Sequence, residues 1–291
     1  MTPLPARIAG APISWGVCEV DGWGYQLPVE RVLREMGEAG LAATEYGPDG
    51  FLPASPATRA AVLAHHGLTA AGGFVPVVAH RPDLDPVPAA GSALAGFGPP
   101  STAVLVLAAA TGAHGYDKRP ELDSAGWSML LANLDRLASA AAGHGYTATL
   151  HPHVGTMVET RADVERVLEG SGVPLCLDTG HLLIGGTDPA WLARVAPSRI
   201  AHVHLKDVRA NWASRVQAGD VSYTDAVRGG MYCPLGQGDV DVADVVGALE
   251  TAGYRGWYVL EQDTVLTGEP DGAGPVSDVR TSVACLRGLL R

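Results

Sequence analysis

The chain has 291 residues, 47% of them hydrophobic and 18% charged, which is enough for one large α/β core and for a central sheet covered on both sides. Its formal net charge of −11, without a local basic patch, argues against nucleic acid as a partner. Four scattered cysteines with no Cys-x-x-Cys pair, no apolar run longer than Ala103 to Ala110, and no secretory signal in Met1 to Trp15 together predict a soluble cytoplasmic protein without disulfides or membrane spans.

Strand-like and helix-like segments alternate from the start. Arg7 to Trp15 reads as a first strand, and Pro28 opens a helix with Val29, Val32, Leu33 and Met36 on one face, closed by Gly40. Leu41 to Tyr46 is the second strand. Ser55 caps a helix through Ala64, with Gly67 as its stop, and Leu68 to His80 contains the third strand. Arg81 to Ser101, rich in Pro, Ala and Gly, reads as the least regular part. Thr102 to Ala109 is the fourth strand, and Ser124 begins the longest helix, with Leu130, Leu134, Leu137 and Ala141 in one stripe.

Thr147 to His153 is the fifth strand, and the helix after Thr160 carries Val164, Val167 and Leu168. Pro174 to Leu177 and Ile200 to Leu205 form the sixth and seventh strands, joined by a helix that Asp188 caps. About thirty residues from Val208 to Gly238, with Trp212, Tyr223 and Tyr232, form a loop long enough to be functional and are expected to supply a lid or pocket wall. Val242, Val245, Val246 and Leu249 mark the next helix, Trp257 to Gln262 the eighth strand, and Val279, Val283, Leu286 and Leu290 the last helix. Eight such units without a repeat or linker predict one (β/α)8 barrel domain over residues 1–291. A doubly wound open sheet is the alternative, but no Gly-x-Gly-x-x-Gly follows the first strand.

In such a barrel the side chains at the carboxyl ends of the strands converge. Four strands there offer metal-type ligands: His151 and His153 from the fifth, Asp178 from the sixth, His204 from the seventh and Glu261 from the eighth. Mixed nitrogen and oxygen donors suit Mn²⁺, Co²⁺, Fe²⁺ or Zn²⁺ better than Ca²⁺, so one divalent ion per chain is expected. Taken singly, each residue has a plainer reading as a hydrogen-bonding strand end or a helix cap; their coincidence at corresponding strand ends favours the metal. His65 and His66 read as complements to a helix C-terminus, and His114 and His144 receive no role. Side chains repeat every two residues, so His151 shares a face with His153 and His202 with His204; if both pairs point inward, the residue nearer the rim reaches the substrate and the deeper one packs or supports.

The blocks Pro12-Ile13-Ser14-Trp15, Thr44-Glu45-Tyr46-Gly47, His151-Pro152-His153-Val154-Gly155-Thr156, Asp178-Thr179-Gly180-His181, His202-Val203-His204-Leu205-Lys206-Asp207-Val208-Arg209 and Pro234-Leu235-Gly236-Gln237-Gly238-Asp239-Val240-Asp241 span most of the chain. On them the sequence resembles the xylose-isomerase-like TIM barrels of sugar isomerases, epimerases and endonucleases, and within these the dehydratase branch acting on 2-keto-myo-inositol in inositol catabolism. The resemblance implies a carbon-oxygen lyase with metal ligands at His151, Asp178, His204 and Glu261, favouring Mn²⁺ or Co²⁺. Most epimerases of the family carry Glu where this chain has His151, and only Glu261 then remains of their carboxylate pair, which tilts the reading from epimerisation to loss of water. Whether His151 or His153 is the ligand stays open at this point.

Under this reading Glu261 or His153 takes the proton α to the ketone, and Lys206 or His181 protonates the departing hydroxyl. Glu45 either orients a substrate hydroxyl or forms a structural ion pair. Trp15 and Trp212 are candidates to wall the ring, Trp15 equally for core packing, and Arg209 is placed with the substrate. The partner implied is a small polyol or keto-sugar, and homo-oligomerisation is a further implication of the resemblance. The rivals are a metal-dependent ketose epimerase or sugar isomerase, a DNA-repair endonuclease disfavoured by the acidic charge, and a sugar-binding barrel without turnover.

Overall fold

The computed structural model describes residues 7–99, 102–113 and 115–290. Eight parallel strands close into a barrel: β1 (Ile8–Gly10), β2 (Ala43–Glu45), β3 (Thr69–Val77), β4 (Val104–Ala109), β5 (Thr147–Leu150), β6 (Leu175–Asp178), β7 (Ile200–Leu205) and, after a small two-stranded ladder of β8 (Asp207–Val208) and β9 (Tyr232–Cys233), β10 (Tyr258–Leu260). The order around the barrel is β1-β10-β7-β6-β5-β4-β3-β2, so each strand pairs with its sequence neighbour in the barrel and β10 closes on β1. No helix among the described residues is long and apolar enough to cross a membrane.

Helices α1 (Val29–Ala39), α2 (Pro56–His65), α3 (Val87–Phe97), α4 (Ser124–Gly143), α5 (Arg161–Gly170), α6 (Thr179–Ile184), α7 (Pro189–Val195), α8 (Ala210–Gln217), α9 (Tyr223–Arg228), α10 (Val242–Thr251) and α11 (Val276–Leu289) fill the connections. The apolar stripes read from the sequence are the faces they bury: Leu130, Leu134, Leu137 and Ala141 of α4 are without solvent exposure, and Val242, Val245, Val246 and Leu249 of α10 are buried. Each such Leu or Val contributes about 1.5–3 kcal/mol by leaving water. Helix starts follow local chemistry. Thr160 and Asp163 form a reciprocal capping box on α5, and Asp188 caps α7 by accepting from the Ala190 N–H.

Several elements differ from expectation. Arg81 to Ser101 is not irregular throughout, because α3 runs through it. Its Ala residues are strong helix formers, Pro86 and Pro88 sit at the helix start where no intrahelical N–H is needed, and Ala90 and Leu94 are buried; the prolines and glycines concealed the pattern. Ser101 itself, like His114, lies outside the described residues. The first strand stops at Gly10, and Pro12–Trp15 forms a 3-10 turn. The fifth strand stops at Leu150, so His151 and His153 sit beyond the ladder. Two helices, α6 and α7, replace the single one between β6 and β7.

The Val208 to Gly238 stretch is an ordered insertion of α8, α9 and the β8-β9 ladder. Asp207, almost fully buried, ties it down by accepting backbone N–H bonds from Val208, Gly236, Gly238 and Val240 at 2.8–3.1 Å. Gly238 is required there, since a Cβ would stand 2.2 Å from the Asp207 carboxylate. Replacing Asp207 by Ala strands these donors and should lower stability by about 2–4 kcal/mol. Urea unfolding with hydrogen exchange at Gly236, Gly238 and Val240 checks this, and unchanged protection there would contradict the clamp.

Candidate metal centre

The strand ends at the carboxyl rim bring His151, Asp178, His204 and Glu261 together inside the barrel. His151 follows β5 and is fixed by its N–H bond to the Leu107 carbonyl. Asp178 ends β6 and faces His204 on β7 in register, while Glu261 follows β10. His151 Nε2 lies 3.2 Å from Asp178 Oδ2, which lies 3.5 Å from His204 Nδ1, itself 2.8 Å from Glu261 Oε2. Two donors on one cation at bond lengths of about 2.0–2.2 Å stand roughly 3–3.5 Å apart. His204 Nδ1 and Glu261 Oε2 are both buried and in ion-pair contact, yet neither makes a well-directed hydrogen bond among the described residues, a geometry that a shared cation would satisfy. The residues therefore fit a divalent metal.

The Asp178-Thr179-Gly180-His181 block shows why these residue types recur together. Asp178 Oδ1 caps α6 through the His181 N–H at 2.8 Å, leaving Oδ2 for the cluster. The Thr179 hydroxyl donates to the Lys206 carbonyl at 2.6 Å and accepts the Lys206 N–H at 2.8 Å, locking β6 to the end of β7. At Gly180 a Cβ would meet the Lys206 side chain at 2.8 Å and the Tyr232 ring at 2.9 Å. The short turn thus sets one ligand, one clamp and the seat of Lys206.

Behind the cluster, Glu45 at the end of β2 receives His204 Nε2 at 2.9 Å and His202 Nε2 at 2.8 Å. This fixes the His204 ring with Nδ1 toward Asp178 and Glu261. Glu45 thus orients the His204 ring while also lining the cavity over the cluster, and His202 is the deeper member of its pair. Burial pushes the Glu45 carboxyl up, but His204 and His202 outweigh it and hold it well below the usual range. Burial also opposes ionisation of Glu261, yet His204 and Lys206 bring it down to about 2. Burial would lower His204, but Cys176, Glu261 and Glu45 around it raise it well above the ordinary imidazole value.

On one flank, Lys206 Nζ lies 2.6 Å from Asp263 Oδ1, 3.3 Å from Glu261 Oε2 and 3.2 Å from His181 Nε2. Although desolvation disfavours its charge, Asp263, Glu261 and Asp178 hold Lys206 firmly as an ammonium. The Tyr223 hydroxyl donates to Asp263 Oδ2 at 2.6 Å and stands 3.0 Å from the Tyr232 hydroxyl. His181 in turn meets His153, their tilted rings 3.6 Å apart between centroids. His153 Nδ1 lies 2.7 Å from the Val154 carbonyl and donates to it, which leaves Nε2 as a lone pair at the cavity. Desolvation lowers His153 to about 3 and His181 well below 6.5, so both rings are neutral.

A cavity of about 1,100 Å³ opens over the cluster, and His151, His153, Lys206, Tyr223, Glu261 and Asp263 line its inner end. Of the four substrate-contact candidates, Glu45 lines it and three do not. Trp15 is core, with its indole N–H on Glu35 at 2.8 Å, because the first strand gives way to a 3-10 turn that aims it inward. Arg209 precedes α8 and spends its guanidinium on the Gly230 carbonyl. Trp212 packs over Gly229 beneath Arg215. Asp263 and Tyr116 were missed. Alternation from Glu261 would have found Asp263, whereas Tyr116, which packs on His153 at 4.5 Å, sits in a segment without periodicity.

The buried histidines predict the acid response of the metal-free protein. His151, His153, His181 and His202 all have lowered folded values, so the unfolded chain, titrating near 6.5, binds more protons below that pH. Stability should therefore fall as pH drops from 7 to 5. His204 has the opposite sign, its contribution being complete below 6.5 and lost as pH rises through its raised folded value, but it is one against four. Urea midpoints at the two pH values check the balance, and a higher midpoint at pH 5 would refute it.

A family model described as the xylose isomerase-like TIM barrel matches residues 101–288. The rhizopine catabolism protein MocC of Rhizobium meliloti is 34% identical over 289 residues, covering 94% of this chain and 85% of that protein. An inosose dehydratase of Geobacillus thermodenitrificans is 30% identical, covering 88% of this chain and 89% of its own. Among solved structures, the IOLI protein with a bound zinc atom superposes with a TM-score of 0.71 at 13% identity over 98% of both chains.

Proposed function

Because the chain belongs to the xylose isomerase-like TIM barrel family, we propose that its rim cluster holds one divalent cation and removes water from a keto-inositol. The observation that carries this reading is the asymmetry of the inner cavity. That cavity is lined both by an ammonium with its carboxylates, Lys206, Glu261 and Asp263, and by the neutral imidazole of His153, with His181 linking the two, its ring against His153 and its Nε2 3.2 Å from Lys206 Nζ. An elimination needs such a pairing of a proton donor and a proton acceptor at different carbons, whereas epimerisation calls for matched groups on opposite faces of one carbon. The curated relatives named inosose dehydratase agree with it, as does the zinc of the IOLI protein.

Bound to His151, Asp178, His204 and Glu261, a cation such as Mn²⁺, Co²⁺, Zn²⁺ or Fe²⁺ would supply Lewis-acid polarisation of the ketone. The remaining work falls to side chains. His153, with Nδ1–H committed to the Val154 carbonyl, accepts the α-proton at Nε2. The electron pair of that C–H bond forms the enediolate, and the C–O bond to the β-hydroxyl breaks. Lys206 Nζ delivers the proton with which the hydroxyl leaves as water. Its raised proton affinity is no obstacle, since the group it protonates, hydroxide, is far more basic. Asp263, held by Tyr223, aims the Lys206 ammonium. The enol then relaxes to the dione.

Dehydration of 2-keto-myo-inositol should appear as rising ultraviolet absorption that chelation stops and a divalent metal restores. Lys206→Met and His153→Ala should each lower kcat by about 10²–10⁴ while the loaded protein keeps its metal. Glu261→Gln should instead lose metal, read by elemental analysis. Turnover to an epimer without new absorbance would transfer the chain to the isomerase reading.

A further inference from the structure

The cavity is larger than the reaction needs, and its two ends differ in chemistry. At about 1,100 Å³ it reaches the top of the range of about 300–1,000 Å³ that encloses drug-sized ligands, whereas a single cyclitol ring is far smaller. Of the groups assigned to the reaction, His151, His153, Lys206, Glu261 and Asp263 line the inner end. The outer end is formed by the strand ends of β2 and β3 and by α3, with Tyr46, Phe74, Pro76, Ala93 and Phe97 facing the space. Phe74 marks the boundary, its ring centroid 6.1 Å from that of His151 and 6.0 Å from that of His153.

The outer rings are fixed in place. Tyr46 and Phe97 pack edge to face at 4.7 Å, and Phe97 meets Tyr146 at 5.7 Å. Gly73 lets them approach, since a Cβ there would stand 2.7 Å from the Phe97 ring. The charge of this end excludes a phosphate. Arg59, its cation, gives Nε to the Pro53 carbonyl at 3.0 Å, Nη1 to Gly96 at 3.1 Å and Nη2 to Ala54 at 3.4 Å, and lies 4.6 Å over the Tyr46 ring. Asp49 on the cavity wall adds negative charge.

We infer that this outer lobe is a subsite for an apolar substituent, so that the substrate is an ether or glycoside of the keto-polyol with its ring at the metal cluster and its apolar group against Tyr46, Phe74 and Phe97. The inference rests on the assignment of the inner end to a polyol, and its test is binding, which needs no turnover. Titration calorimetry on the metal-loaded protein would compare myo-inositol, its mono-O-benzyl ethers and inositol monophosphates. At least one benzyl ether should bind about tenfold tighter or more than myo-inositol, the gain that burial of an aromatic ring delivers. Ala93→Phe, or Ser92→Phe if the first fails to fold, should reduce that preference at least fivefold.

Benzyl ethers that all bind no tighter than myo-inositol would overturn the subsite, as would a monophosphate that binds better than every ether. A benzyl preference retained by a protein that does not dehydrate 2-keto-myo-inositol would support the lobe while removing the proposed reaction.

Discussion

Charge enclosed in an apolar barrel is the constraint on which this structure turns. Glu45, Asp178 and Asp263 are buried and Glu261 half-buried, together with the ammonium of Lys206. Isolated buried ions are costly, so each is held by specific partners: Glu45 by two imidazoles, Asp178 by the first turn of α6, and Asp263 by Lys206 and Tyr223. With His204 protonated, four negative charges still face only two positive ones. A divalent cation taking the place of the His204 proton would raise the positive charge to three, and the close approach of His204 Nδ1 to Glu261 Oε2 marks where it would sit.

The barrel makes such an arrangement affordable by dividing labour. Strands fix the depth of each ligand through ladder register, while short, tightly tied turns set its direction. Thr179 locks two strand ends with one hydroxyl, and Asp207 holds an insertion of about thirty residues by four backbone donors. The insertion in turn delivers Tyr223 to Asp263, so a segment outside the barrel determines where the ammonium of Lys206 points.

Much of this was legible in the sequence because it obeys local periodicities. The leucine stripe of α4, the capping residue Asp188, and the sharing of a face by His202 and His204 all follow from spacing alone. The convergence of His151, Asp178, His204 and Glu261 was legible as a coincidence at corresponding strand ends. What escaped depends on contacts between distant segments. The helix α3 was hidden by prolines and glycines that are benign at its start and on its exposed side. Trp15, Arg209 and Trp212 carry suitable chemistry, but the 3-10 turn after β1 and the packing of α8 aim them elsewhere. Asp263 obeys the same two-residue alternation as Glu261, yet its role appears only once Lys206 and Tyr223 meet it.

The orientation of His204 makes proton and cation rivals for one lone pair. Its Nε2 is committed to Glu45, so the extra proton favoured by its carboxylate surroundings rests on Nδ1, between Asp178 and Glu261. A metal arriving there must expel that proton into solvent. Loading is then an exchange reaction, and its equilibrium slides toward the empty, protonated centre whenever the medium turns acidic, with no change in the fold that holds the ligands.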